Sequence, residues 1–411
     1  MENSSPTEAH SRLHGMSLAK RFYTEENIYY QDVKWLRANT WLMVGHESQI
    51  RNPGAYFLYE FDQDSVIVIR GSEDQIGAFH NVCRHRGSRL CTKDAGNMRA
   101  LTCPYHAWTY GLDGRLRSAP FTPKDFDRNQ YALLPCHVRV HCGVIFLSFA
   151  QSPPDFDSYI GFLTRELELQ DVQHSKVAKR ALFSANANWK LVVENNLECY
   201  HCGPAHATFC SAHPGVPLGK PQEDANKTLY EPRPTALRDS ESEKKRQFTP
   251  MYTGNATPNF QFVARSHIGK GCSTESVDGK SVAPLMGLCT YEGMQTIALP
   301  SPLTNVVLNP DYVVLYAFTP RSVRRTDIAV IWLVNESAVE GVDFDVSQVS
   351  AVWEPTLKED KILAENTQLG IDSTAYRPGP YIETEKLVGD FDLWYLRRIR
   401  DELTMPGAQE A

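Results

Sequence analysis

What the sequence is short of narrows the field first. Its longest apolar runs, such as Tyr312 to Phe318, fall far below the roughly 20 residues a membrane helix needs. The first ten residues are polar and acidic, without the basic-then-apolar layout of a secretion signal, so the expected location is cytoplasmic. Basic charge is also scarce: 42 Lys and Arg against 49 Asp and Glu leave a formal charge of −7, with no basic stripe. That argues against nucleic acid or an anionic membrane surface as the main partner. No internal repeat or low-complexity tract interrupts the chain. What remains is an ordinary globular composition, 42% hydrophobic and 22% charged, with a length of 411 residues that suffices for two cores.

Ten cysteines are present. In a cytoplasmic chain of this size, cysteines clustered with histidines point to metal ligation rather than to a disulfide framework.

Residues 1–38 read as a polar arm with one short amphipathic helix. Residues 39–152 alternate brief β-rich runs with Gly, Pro, Asn and Asp turns, as in Val66 to Ile69 and Gly143 to Leu147, and predict a small all-β domain. Ser152-Pro153-Pro154-Asp155 marks a boundary, followed by a helix near Tyr159 to Leu169. In residues 153–411 the pattern predicts a strand at Ala181 to Asn186 and a helix at Trp189 to Tyr200. Strands follow at Thr296 to Pro300, Asn305 to Leu308, Tyr312 to Phe318 and Asp327 to Leu333, then a helix near Glu354 to Leu369. Lys220 to Gln247 reads as a long polar excursion. The expected class is α+β, an antiparallel sheet with helices packed on one face beside an all-β domain.

Two Cys-His pairs stand out, Cys83-Arg84-His85 and Cys103-Pro104-Tyr105-His106, each at a turn between short strands. Two such loops side by side present two thiolates to one iron and two imidazoles to another, the Rieske [2Fe–2S] arrangement. Two Cys and two His also satisfy zinc, but a single residue between Cys83 and His85 is awkward for one ion. Farther on, His201 and His206 are five residues apart, about 140° around a regular helix. Gly203-Pro204 between them offers a bend that swings His206 back toward His201. Two histidines leave a divalent iron short of a carboxylate. Cys199 and Cys202 form a Cys-x-x-Cys pair, a spacing also used for thiol redox work, but within this segment they read as packing residues.

Cys83 to Gly87 together with Cys103 to Gly114 closely resembles the Rieske domain of ring-hydroxylating and related oxygenases, departing at Ala107, where Gly is frequent in that family. The resemblance implies a [2Fe–2S] cluster on Cys83, His85, Cys103 and His106, and a C-terminal helix-grip (START-like) domain holding a mononuclear Fe(II). By itself Asp360, in Lys-Glu-Asp-Lys, reads as a solvated helix face. Followed by Glu365, Gln368 and Gly370, it resembles the iron-binding helix of these oxygenases. His201, His206 and Asp360 are the implied ligands, with Glu359 as fallback. Glu198, three residues before His201, matches the family's carboxylate that links an iron histidine to a Rieske histidine of the neighbouring subunit. Carried over, it joins His201 to His106 of the next chain in a ring, commonly a homotrimer.

Asn188 to Cys202 and Val277 to Gly287 resemble the branch that demethylates glycine betaine, stachydrine and related quaternary ammonium compounds. That implies hydroxylation of an N-methyl group with O2, and collapse of the hemiaminal to formaldehyde and the demethylated amine. Electrons come from NAD(P)H through a separate flavin and iron–sulfur reductase. The alternatives are a ring-hydroxylating oxygenase acting on an aromatic acid, and a Rieske electron carrier whose second domain has no oxygenase activity. A quaternary ammonium pocket needs aromatic faces and a basic or amide group for the carboxylate; Phe209 and residues from Leu303 to Tyr316 are candidates for its lining, and core packing accounts for most of them equally well.

Overall fold

The structure is a computed structural model that describes residues 15–213, 251–252, 259–268, 271–289 and 293–404. The polar excursion at Lys220 to Gln247 lies outside the described residues. Strands run in chain order β1 (Leu42–His46), β2 (Ala55–Phe61), β3 (Asp64–Arg70), β4 (Ile76–His80), β5 (Ala95–Asn97), β6 (Leu101–Thr102), β7 (Thr109–Tyr110), β8 (Leu116–Ser118), β9 (His137–His141) and β10 (Val144–Ser148). They form three small antiparallel sheets, ordered β4-β3-β2-β5, β6-β7-β8 and β1-β10-β9. β3 is one of the two inner strands of the first, and its Val66-Ile67-Val68-Ile69 run is buried throughout. Continuous β-branched residues suit a strand covered on both faces.

The second half is built on a seven-stranded antiparallel sheet. Its strands are β11 (Ser175–Ala185), β12 (Met251–Tyr252), β13 (Phe262–His267), β14 (Met294–Ser301), β15 (Thr304–Leu308), β16 (Tyr312–Ser322) and β17 (Arg325–Asn335), in the order β11-β17-β16-β15-β14-β13-β12. Side chains alternate across a strand. Along β16, Tyr312, Val314, Tyr316 and Phe318 join one core, and Val313, Leu315 and Ala317 the other.

Helices α1 (Arg21–Thr24), α2 (Glu26–Asn39), α3 (Phe156–Leu169), α4 (Trp189–Asn196), α5 (Cys202–Ala205), α6 (Ala207–Ala212), α7 (Trp353–Asp372) and α8 (Lys386–Thr404) complete the frame. α4, α7 and α8 pack on the Tyr312 face. The other face is covered as well, by α3 and by Trp41, Met43, Val144 and Phe146 from the first half. The sheet is thus sandwiched, where the sequence pattern suggested helices on one side. Among the described residues no helix is long and apolar enough to cross a membrane.

α4 is held from several directions. Asn188 caps it by accepting from the Lys190 N–H, and the Asn188 N–H donates to Gln368 on α7 at 2.9 Å. One turn earlier on α7, Glu365 accepts from the Asn186 N–H at 2.8 Å. Glu365 and Gln368 therefore fix where α7 lies against α4. Leu357, Asp360, Ala364, Gln368 and Ile371 follow a three- and four-residue spacing and share one face. Burying Leu357 and Ile371 contributes roughly 1.5–3 kcal/mol each, which helps to offset taking the Asp360 carboxylate out of water.

Candidate functional site

The first constellation sits on two loops built alike. In one, Cys83 N–H donates to the Ser88 carbonyl and Gly87 N–H to the Cys83 carbonyl; in the other, Cys103 N–H donates to Trp108 and Ala107 N–H to Cys103. Each turn closes on a left-handed residue, Gly87 at φ +78° and Ala107 at φ +58°. A Cβ at Gly87 would meet nothing within 4 Å, so only the backbone angle favours glycine there. Ala107 fills the equivalent position at a conformational cost of about 1–2 kcal/mol.

Both cysteines are buried, whereas His85 is exposed and His106 partly so. The two imidazoles lie 4.7 Å apart between ring centres, and His85 stacks on Trp108 at 4.9 Å. Burial raises the Cys83 thiol. Burial opposes ionisation of Cys103 too, but backbone N–H groups of Tyr105 and His106 lead the opposing interactions and hold its pKa below the ordinary thiol value. Two adjoining sulfurs in a dry, N–H-lined pocket, with two imidazoles at its surface, fit a group that takes two thiolates inside and two nitrogens outside.

The second constellation lies at the end of α4. The helix stops at Asn196, short of the expected Tyr200, and His201 follows after a turn as the N-cap of α5. Gly203 and Pro204 do not make the bend assigned to them. They lie inside the first turn of α5, where a missing proline N–H breaks no helical bond. The reorientation comes from the turn before His201 and from His206 itself, at φ −121° and ψ 79° between α5 and α6. The result is the one expected: the rings stand 5.1 Å apart, nearly perpendicular.

Both converge on Asp360. Its Oδ1 is 3.2 Å from His201 Nε2 and 2.9 Å from His206 Nε2. The opposite ring nitrogens are also engaged, His201 Nδ1 with Glu198 at 2.5 Å and His206 Nδ1 with Glu359 at 2.8 Å. Glu359, the fallback ligand, stands on the Nδ1 side of His206, away from the Nε2 atoms that face Asp360. Burial disfavours the charged form of His201, but Asp360 and Glu198 together push its pKa up to about 10. His206 shifts upward against burial for the same kind of reason. Asp360 is lowered by the two histidines despite its burial. Carboxylates fixing the Nδ1 sides leave both Nε2 atoms facing one carboxylate oxygen, a donor set that suits a divalent cation in place of the shared protons.

Cys202 Sγ also lies within 4.8 Å of the ligand atoms of His201 and His206, but it is bonded to Cys199. The two cysteines do pack, with Phe209, Cys210, Ala212 and Val352, yet as a disulfide rather than as separate thiols. The three-residue spacing across a tight turn is what brings them together.

A cavity of about 70 Å³ opens beside this cluster, with Asp360, His201 and His206 in its wall. Phe209 and Asn305, two of the candidates for its lining, are in its wall. Trp353 and Glu275 line it too, and sequence reading missed both. Glu275 is only 1% exposed and accepts from Trp353 Nε1 at 2.7 Å, Asn309 Nδ2 at 3.0 Å and His213 Nε2 at 2.5 Å. Its loop is pinned by Asp311, which accepts from Thr274 Oγ1 and from the Val282 and Ala283 N–H groups. Asn305 Nδ2 donates to Asn196 Oδ1, leaving Asn305 Oδ1, Asn196 Nδ2 and Gln295 Oε1 in the wall without partners. Among the described residues no Lys or Arg lines the cavity.

A Rieske-type β domain joined in one chain to an antiparallel sheet carrying a two-histidine, one-carboxylate cluster defines the class of Rieske non-haem iron oxygenases. Residues 40–138 match the Rieske [2Fe-2S] domain, and residues 170–401 the ring hydroxylating alpha subunit (catalytic domain). The chain is 36% identical over 409 residues to the glycine betaine monooxygenase oxygenase subunit of Pseudomonas aeruginosa, covering 96% of this chain and 91% of that one. To its counterpart from Chromohalobacter salexigens it is 35% identical over 389 residues, 92% and 85% of the two chains. A quaternary ammonium Rieske monooxygenase solved with L-carnitine shares the fold, with a TM-score of 0.69 at 21% identity over 96% of this chain and 99% of that one. The chain belongs to the Rieske ring-hydroxylating oxygenase alpha-subunit family and is a Rieske-type oxygenase. Its cofactors are a [2Fe–2S] cluster and a mononuclear iron, with O2 as co-substrate.

Proposed function

We propose that this chain is the terminal oxygenase of an N-demethylase acting on a betaine-type quaternary ammonium compound. In this reading Cys83, His85, Cys103 and His106 hold the cluster, His201, His206 and Asp360 hold the iron, and the chain divides into an arm (1–38), a Rieske domain (39–152) and a catalytic domain (153–411). The observation that carries the substrate class is the cavity wall. A buried carboxylate, Glu275, hydrogen-bonds the indole N–H of Trp353, and Phe209 stands 5.7 Å from that indole. A trimethylammonium cannot donate a hydrogen bond, so it gains from aromatic faces and a nearby negative charge. The unpartnered amide atoms of Asn196, Asn305 and Gln295 supply a donor and acceptors for the substrate's carboxylate end and for ordered water. A flat aromatic acid would leave them, and Glu275, buried against a ring.

The iron when bound supplies oxidation of the N-methyl carbon with O2 and two electrons. The chain's own residues do the rest. Trp353 and Glu275 orient the cation, Glu198 and Glu359 hold the two imidazoles by their Nδ1 atoms, and the disulfide-bearing turn closes one side of the cavity. Once an N-methyl group carries a hydroxyl, loss of its proton and cleavage of the C–N bond release formaldehyde and the tertiary amine. A separate flavin and iron–sulfur reductase passes electrons from NAD(P)H to the cluster, which also supports the cytoplasmic assignment. Glu198 is the carrier between centres, joining His201 to His106 of a neighbouring copy in a homotrimer.

The test is turnover with a surrogate reductase, NADH and a panel of betaines and aromatic acids. Formaldehyde release with an N-methyl compound, and none with its ring competitors, is the expected result. Oxidised ring products without formaldehyde would overturn the substrate class. The purified chain should contain about three irons, two of them in the cluster; a simple electron carrier would hold about two.

A further inference from the structure

Beyond closing one side of the cavity, the disulfide at the iron turn has no chemical role assigned so far. Cys199 and Cys202 flank the pair Tyr200-His201, directly after Glu198. The turn is already held by hydrogen bonds: Glu198 accepts from the Tyr200 and His201 N–H groups, and Cys202 N–H donates to the Cys199 carbonyl at 3.2 Å. Both cysteines are nearly buried, 4% and 6% exposed, and both line the cavity that holds His201, His206 and Asp360. Small molecules in that cavity therefore meet these sulfurs. A third thiol, Cys210, packs in the same cluster, its Sγ 3.3 Å from the Cys202 carbonyl.

Disulfides in a reducing compartment are usually transient and redox-active rather than structural. An oxygenase also generates an oxidant at this spot, because O2 reduced by two electrons without reaching substrate leaves as hydrogen peroxide.

We infer that Cys199 and Cys202 form a reversible dithiol–disulfide site, oxidised by peroxide escaping the iron cavity, whose state sets how firmly the turn carrying His201 is held. The chemistry balances. Two thiols and one H2O2 give one disulfide and two waters, through attack of one sulfur on peroxide oxygen and displacement of water by the second sulfur. An exogenous dithiol returns the pair by exchange and becomes a disulfide itself. In the dithiol form the two sulfurs must separate to non-bonded contact. That frees the side chains on either side of the Tyr200-His201 pair, so the disulfide is the more constrained state of the turn that carries the His201–Glu198 contact.

The labelling half of the test stands alone, and only the iron half rests on His201 as a ligand. Holoenzyme is reduced with dithiothreitol and desalted, then kept reduced or treated with the thiol-specific oxidant diamide or with one equivalent of hydrogen peroxide, and each sample is alkylated, digested and read by tandem mass spectrometry. The tryptic peptide beginning at Leu191 carries Cys199, Cys202 and Cys210. We expect all three labelled after dithiothreitol, and only Cys210 after diamide or peroxide. Labels absent from Cys199 and Cys202 after native reduction, labels unchanged by peroxide, or a bond involving Cys210 would each overturn the site. In parallel, loss of mononuclear iron to a ferrous chelator should be about 5-fold faster from the dithiol form than from the diamide-treated form. Cys199→Ser, checked for folding by its Rieske absorbance, should match the fast rate whatever the redox treatment. Equal iron loss from the two wild-type forms would overturn the coupling even if the labelling succeeds.

Discussion

Glu275→Gln tests the cation pocket with the least change of shape. The carboxylate accepts from the Trp353 indole N–H at 2.7 Å, and an ammonium seated over the indole face lies roughly 6 Å from it, within cation–π range. At an effective dielectric of about 20, a unit charge pair at that separation attracts by about 3 kcal/mol. Removing the charge should lower kcat/KM for a quaternary ammonium substrate about a hundredfold, mostly through KM. A neutral tert-butyl isostere of the same acid, bound as a competitive inhibitor, senses only shape and should change its Ki less than threefold. Formaldehyde kinetics and inhibition by the isostere, measured on the same preparation, separate the two. Because Glu275 also receives His213 and Asn309, the variant is compared at matched iron content and after its unfolding midpoint is known. Equal losses for the cation and the isostere would refute the electrostatic argument, as would no loss for either.

Asp360→Ala should leave the Rieske absorption intact, lower iron from about three to about two per chain and abolish formaldehyde release; turnover that survives sinks the ligand assignment. Glu194 is buried beside Asp392, with Tyr23 donating to the first at 2.9 Å, Tyr381 to the second at 2.8 Å, and Lys190 close by. Burial lifts Glu194 to about 7 from an ordinary 4.5, so its proton stabilises the folded state below pH 4.5, and that contribution is lost as pH rises through about 7. Glu194→Gln should therefore flatten the fall in stability between about pH 5 and 8 in urea titrations; an unchanged slope speaks against the shared proton. Ala107→Gly relieves the left-handed strain but loosens the unfolded chain, for a net gain near 0.5 kcal/mol, and should raise the midpoint of thermal cluster bleaching by about 1–2 °C. A lower midpoint would mean that the alanine methyl makes a stabilising contact.

The metal-binding residue types were legible because their chemistry is rare. Cys-x-His and Cys-x-x-His on neighbouring turns have few uses, and the structure brings their loops together. Asp360 was harder to read, since Lys-Glu-Asp-Lys is the signature of a wet surface. The resemblance carried by Glu365, Gln368 and Gly370 singles it out, and its spacing from Leu357, Ala364 and Ile371 puts it, unlike Glu359, on the apolar stripe of α7. Gly203-Pro204 reads as a helix breaker in the sequence, whereas Pro204 occupies a first-turn position of α5 that tolerates it. Glu275 gave no signal at all. It belongs to a polar loop with no periodicity, and only the long-range pairing of that loop with Asp311 and Asn309 buries it. The Cys199–Cys202 bond was visible as a spacing, but whether two thiols bond depends on turn geometry that composition does not reveal.

The distribution of charge bears on where electrons enter. Glu198 and His201 stand in the walls of two cavities, the small one facing Asp360 and a larger one of about 340 Å³ that also reaches Glu194 and Glu385. Among its described lining residues there are three glutamates and no Lys or Arg. The Rieske loops have the opposite character: Arg84 and Arg86 flank His85, and Arg89 follows in the same turn. Within one chain, among the described residues, no hydrogen bond joins His85 or His106 to Glu198. A cationic, histidine-tipped loop and an anionic hollow that share no hydrogen bond in the same copy are complementary between copies, which favours the head-to-tail ring of the proposed function. Reversing the sign at Glu385, with Glu385→Lys, should then slow single-turnover electron transfer to the iron more than tenfold at low salt, while cluster reduction by dithionite stays unchanged. Equal rates in the variant and the parent would remove the electrostatic case for that contact.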